Sequence, residues 1–137
     1  MLLNSPVKEK GQPMMLPVYP PGRPIPEGHY APAVIFDGCV HVSGTLPALP
    51  PGSGRHATFD EQMESLLQNC DEVLDAAGSG RDKVVSLTLY VADIDNWDPA
   101  NRALARFFGA HRPARSIICV PAIRKGYAVQ ASLIAVV

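Results

Sequence analysis

From residue 58 to residue 78 the chain repeats its apolar residues at the period of an α-helix for about five turns. Phe59, Met63, Leu66, Leu67, Cys70, Val73, Leu74 and Ala77 make the stripe. Thr58 and Glu61 have the spacing of a capping box, in which the hydroxyl and the carboxylate satisfy each other's backbone donors. Gly78 and Gly80 supply the stop. A helix of this length with one apolar side draws its stability from burying that side, so it demands a second layer. The rest of the sequence offers strands for that layer.

Residues 33–36 and 39–45 read as two short strands joined by Asp37-Gly38, a two-residue hairpin signal. Residues 47–54 form a proline- and glycine-dense loop before the long helix. After it, residues 84–91 alternate and are rich in β-branched and aromatic side chains. Asp98-Pro99 has the order of a cap followed by a first-turn proline, and Ala100, Leu104, Phe107 and Phe108 continue as a buried stripe, with Trp97 available to staple the start. Residues 116–120 and 127–137 read as the last two strands, the second entered through the turn Arg124-Lys125-Gly126. The order ββαβαββ predicts an α+β fold: one mixed sheet with both helices on one face. No third helix is available for the other face, so a subunit interface is its expected cover.

Composition bears on that expectation. Apolar residues make up 47% of the 137-residue chain and charged residues 18%, lean for a monomer that must cover itself with charge. No apolar run reaches the roughly 20 residues that span a bilayer, so no membrane association is expected. A net charge of −1 without a basic stripe argues against nucleic acid as a partner. Residues 1–26 hold seven prolines and are expected to be extended or disordered, with a single domain over residues 27–137. The N-terminus lacks the pattern of a signal peptide, and Cys39, Cys70 and Cys119 read as buried reduced thiols, which suits the cytosol. Neither these cysteines nor the four scattered histidines have metal-ligand spacing, so no metal is expected.

The residue type with the clearest chemistry is Arg115, in Pro113-Ala114-Arg115-Ser116 at the entrance of a strand. A guanidinium is permanently charged and grips a carboxylate through two parallel hydrogen bonds, so this position suits an anchor for a small organic acid, or else a surface ion pair. Ser43 has no histidine placed to activate it as a nucleophile, which favours a structural use.

The order of elements, together with Gly28-His29-Tyr30, Val42-Ser43-Gly44-Thr45-Leu46-Pro47, Ala76-Ala77-Gly78, Lys83-Val84-Val85, Asn101 ahead of Phe107-Phe108, and Pro113-Ala114-Arg115-Ser116, resembles the Rid family of reactive intermediate deaminases, also called YjgF/UK114, over about residues 28–135. The resemblance implies a chorismate-mutase-like homotrimer, with sheets forming a central barrel and active sites between subunits. It implies cofactor-free hydrolysis of small enamines or imines bearing a carboxylate, giving ammonia and a 2-oxo (keto) acid. Arg115 would bind the carboxylate, Gly44 would contribute backbone groups, Tyr30 would line the cleft and Asn101 would order it. With Ser43 and Ile117 these form the expected substrate-binding set, and Arg115 and Gln130 the expected catalytic pair.

Two positions depart from the family's pattern. Where many members carry a water-activating glutamate, fifteen residues after the arginine, this chain has Gln130, and a common cysteine is replaced by Ile117. An amide can accept a hydrogen bond from water but cannot take its proton near neutral pH. Gln130 therefore leaves three readings: a seam residue without chemistry, a changed substrate choice aided by Arg112, or a non-catalytic carboxylate-binding or regulatory trimer. His29, next to Tyr30, is left without a role.

Overall fold

The computed structural model describes residues 14–49 and 56–137. The first dozen residues, expected to be disordered, and most of the 47–54 loop lie outside them. Six strands, β1 (Met15–Val18), β2 (Ala33–Phe36), β3 (Cys39–Thr45), β4 (Val84–Val91), β5 (Ala114–Cys119) and β6 (Val129–Val136), form one sheet in the order β1-β2-β3-β6-β4-β5. Only β4 and β5 run parallel, because α2 (Trp97–Phe108) carries the chain between them. The hairpin at Asp37-Gly38 forms as expected, with φ of 51° and 76° at its two corner residues.

The strand β1 adds an element to the order read from the sequence. Pro17 argues against a strand in isolation, but β1 is an edge that pairs only with β2, where a missing donor is tolerated. The second helix also begins earlier than Asp98 suggests. A 3₁₀ turn, Ile94–Asn96, capped by Asp93 accepting from the Asp95 N–H at 2.9 Å, runs directly into Trp97. The donors that Asp98 would have capped are approached from that turn instead.

The long helix α1 (Phe59–Ala76) has both arms of its capping box: Glu61 N–H donates to Thr58 Oγ1 at 3.1 Å, and Thr58 N–H donates to Glu61 Oε1 at 3.2 Å. It ends in a Schellman motif, with Ser79 N–H donating to Leu74 O, Gly78 N–H to Asp75 O, and Gly78 at φ 76°. Its stripe of Met63, Leu66, Cys70 and Leu74 is buried against Val40 and Val42 of β3 and Val129, Ala131, Leu133 and Ala135 of β6. Leu74 is fully buried, and truncating it to alanine is expected to cost about 2–5 kcal/mol. Gln62, buried on the same helix, accepts from the Ala128 N–H at 2.8 Å and donates to Ala57 O at 3.1 Å, tying the helix start to the head of β6. Burial, and next the neighbouring Asp71 carboxylate, push the Cys70 thiol up to about 12. Cys39 is half-buried, and Cys119 is exposed, contrary to expectation, because β5 is an edge strand.

Both helices cover one face of the sheet. On the other, Ser86, Thr88 and Tyr90 of β4 stand beside Ile134, Ser132 and Gln130 of β6, and no described element covers them. Among the described residues, no helix is long and apolar enough to cross a membrane.

Candidate functional site

Arg115 is the second residue of β5, so it lies within the strand rather than ahead of it. Its register partner is Leu87, whose side chain is buried under the helices, so Arg115 leaves the sheet on the helical side. Because β5 is an edge, the guanidinium reaches the rim instead of the core. Its Cζ lies 5.5 Å from the centroid of the Trp97 ring, a cation–π brace worth about 0.5–1 kcal/mol at an exposed site. Among the described residues no carboxylate forms an ion pair with it. The hollow in front of it, ≈410 Å³, is lined among others by Asn101, Phe108, His111 and Arg112. His111 Nε2 lies 2.7 Å from the Val84 carbonyl oxygen, and its ring meets Phe108 edge-on, which pins the connection ahead of β5. Ile117, two residues on, faces the same side and packs against the core.

Tyr30, Ser43 and Gly44 line a different cleft, ≈260 Å³, together with Asn69, Glu72 and Lys125. The ladder between β3 and β6 shifts between Val42 and Thr45, so Ser43 and Gly44 form a bulge. Ser43 is held there by its N–H to Pro32 O at 2.9 Å and its hydroxyl to Ala31 O at 2.6 Å. That hydroxyl is a structural pin, as the absence of an activating histidine suggests. A Cβ on Gly44 would stand 2.6 Å from Gln130 Nε2, so glycine is what allows the amide to lie against the β3 backbone. Asn69 and Glu72 hold Arg23 across the cleft, and Asn69 Nδ2 donates to Leu46 O at 2.9 Å. Sequence reasoning missed Arg23, Asn69 and Lys125; the one available signal was an amide flanking the apolar stripe of α1. His29 is exposed and outside both clefts.

The two groups point apart. Arg115 shares a row with Leu87 and Leu133 on the helical face, whereas Gln130 shares a row with Tyr90 and Ile118 on the open face. Two strands and three rungs separate them, roughly 14 Å between Cα positions at ordinary sheet spacings. The chain therefore carries these two groups on separate surfaces. Among the described residues no three His, Cys, Asp or Glu side chains converge as a metal site.

The sequence profile of the family described as endoribonuclease L-PSP matches residues 21–137. The fold matches a protein of the conserved Rid family from Yersinia pestis with a TM-score of 0.81 and 32% identity, over 90% of this chain and 99% of that one. The chain belongs to the Rid (YjgF/UK114) family. A second Rid-like structure, a putative endoribonuclease L-PSP from Entamoeba histolytica, gives a TM-score of 0.81 and 35% identity over 90% of this chain and 99% of that one. The human 2-iminobutanoate/2-iminopropanoate deaminase is 31% identical over 111 residues, 80% of each chain. Mixed α+β architecture, a six-stranded sheet and two helices are thus common to this chain and its structural relatives.

Proposed function

We propose that this Rid-family protein hydrolyses small, reactive enamines or imines that carry a carboxylate, releasing ammonia and a 2-oxo acid, at sites shared between copies of the chain. The observation that carries this reading is the guanidinium of Arg115, braced over Trp97, without an ion-pair partner among the described residues, at the mouth of a hollow. Its fork takes the substrate carboxylate bidentately. The second half-site, with Tyr30, Ser43 and Gly44 in their own cleft and Gln130 beside Gly44 on the open sheet face, lies apart from it, so a neighbouring copy supplies that half. A homotrimer, in which the open sheet faces turn inward to a central barrel, meets this requirement and covers Tyr90, Ser132 and Ile134.

The chemistry asks little of the protein. An enamine tautomerises to the imine, water adds at the imine carbon, its proton passes to the nitrogen, and the C–N bond of the resulting carbinolamine breaks to free ammonia. Gln130 accepts a hydrogen bond from the water and aims its lone pair, while the substrate nitrogen and solvent handle the protons. Holding the partners in line supplies most of the acceleration. Asn101 and Tyr30 order the walls, no cofactor is required, and the reaction runs in the cytosol. A net charge of −1 weighs against RNA cleavage as the activity.

The test is to generate 2-aminoacrylate in situ and follow its disappearance. Faster loss with the wild-type protein, abolished in Arg115→Ala while the oligomer persists by sedimentation, is the expected result. Arg115→Ala with full activity sinks the assignment. A second reading rests on the neutral Gln130 amide: a trimer that binds small carboxylates without turning them over. Binding of 2-oxo acids with no faster loss of the enamine would establish it.

A further inference from the structure

The Arg115 hollow carries more positive charge than one carboxylate can use. Arg112 lines the same ≈410 Å³ space, and no Asp or Glu does. Elsewhere in the fold, Arg23 and Arg81 are each matched by a carboxylate, Glu72 and Asp71 respectively. Among the described residues, Arg112 and Arg115 have no such match, nor do Arg102, Arg106 and Arg124; what sets the pair apart is that both line one hollow. Arg112 lies on a short connection, residues 109–113, that leads into β5 and Arg115 and is stiffened at both ends. Gly109 closes α2 at φ 62°, Pro113 restricts the entry to β5, and His111 ties the middle to Val84 O. Arg112 and Arg115, three residues apart, thus contribute two like charges to the lining of one hollow, a setting that favours an anion. The lining also includes Leu104, Ala105 and Phe108, apolar surface suited to a few methylenes, and the volume is within the range of small-molecule sites.

We propose, as a refinement that rests on the deaminase reading above, that the preferred substrate is a short imino acid with a second carboxylate. Arg115 grips the carboxylate beside the imine carbon, and Arg112 takes the distal one. A charge-assisted contact of this kind corresponds to roughly 10–100-fold in affinity, and the exposure of Arg112 points to the lower end, about tenfold.

Norvaline and glutamate share a five-carbon backbone and differ at its end, methyl against carboxylate. Flavin amino-acid oxidases convert each to its 2-imino acid in situ, and hydrolysis by the protein can be scored against trapping by semicarbazide. The expected result is a kcat/KM about tenfold higher for the glutamate-derived imine. Arg112→Ala should bring that ratio close to one, and Arg112→Lys should retain part of it. A wild-type ratio at or below one, or a ratio indifferent to Arg112→Ala, overturns the proposal. Failure to hydrolyse either imine counts against the deaminase reading instead. The selectivity is then read by calorimetric titration with 2-oxoglutarate and 2-oxopentanoate. Tighter binding of the diacid that Arg112→Ala removes upholds it, and equal or absent binding refutes it.

Discussion

Gly44→Ala puts the geometry of the second half-site to a quantitative test. The backbone at Gly44 lies outside the left-handed region, so alanine meets no conformational penalty there. The added Cβ would, however, stand 2.6 Å from Gln130 Nε2, and ordinary contact needs roughly 3.5 Å. The obstructing atom is the end of a flexible side chain, so the amide can retreat by about 1 Å through a torsional adjustment costing about 0.5–1.5 kcal/mol. The expected loss of stability is thus small, a fall in melting temperature of about 2–5 °C for a domain of this size. Activity should fall much further, since a misplacement of about 1 Å near the reacting atoms costs on the order of 100-fold. Thermal melting and in situ enamine turnover, measured on the same preparation, separate the two effects. Turnover within about twofold of wild type would mean that Gln130 does not position the water. A fall of 15 °C or more would mean that the bulge itself had been disrupted.

Gln130→Glu places a carboxylate where the proposed mechanism has the amide aim the water. A working general base is worth about 100-fold or more, so turnover of simple enamines should rise at pH values above the usual carboxylate range near 4.3; an unchanged rate would locate the attacking water elsewhere. Thr58→Ala removes the acceptor of the Glu61 N–H and should cost about 1 kcal/mol in chemical denaturation, with Thr58→Ser recovering most of it. The Cys70 thiol, raised by burial, keeps its proton in the folded chain long after it ionises in the unfolded one. Its contribution is intact below about pH 9 and is lost between there and about 12, at ~1.4 kcal/mol per pH unit, a slope that Cys70→Ala should lack in denaturation titrations. At pH 8 a thiol reagent should label Cys119 in the native protein and leave Cys70 untouched until the chain unfolds.

Local chemistry made much of the fold legible. Asp37-Gly38 dictates a tight turn by its dihedral needs, the Thr58/Glu61 pair marks a helix start, and Gly78 marks its end, each within a few residues of chain. The features that escaped depend on distant partners. A strand at Met15–Val18 exists only because β2 offers an edge, and the start of α2 was set by a 3₁₀ turn that Asp98-Pro99 does not announce. The exposure of Cys119 follows from β5 lying at the rim, which its apolar composition hides. The separation of Arg115 from Gln130 was hidden for a similar reason. Fifteen residues apart in sequence, they land on opposite faces through register, set by the unbroken pairing of Ser86–Val91 on β4 with β5 and with β6. The residue types of the candidate site were readable one by one, but not which of them share a surface.

The sheet order places β6 between β3 and β4, so the strand nearest the C-terminus occupies the middle of the sheet. On the ribosome, the β2–β3 hairpin and the β4–α2–β5 unit emerge first, and each must wait with an apolar flank uncovered. Val129, Ala131, Leu133 and Ala135 then close both seams within a few residues of synthesis. The sheet therefore cannot close until β6 is made, and a premature stop before Val129 would release one chain whose two units keep apolar flanks with no strand to bridge them. Nascent copies of this protein should accordingly lean on chaperones late in translation, not early.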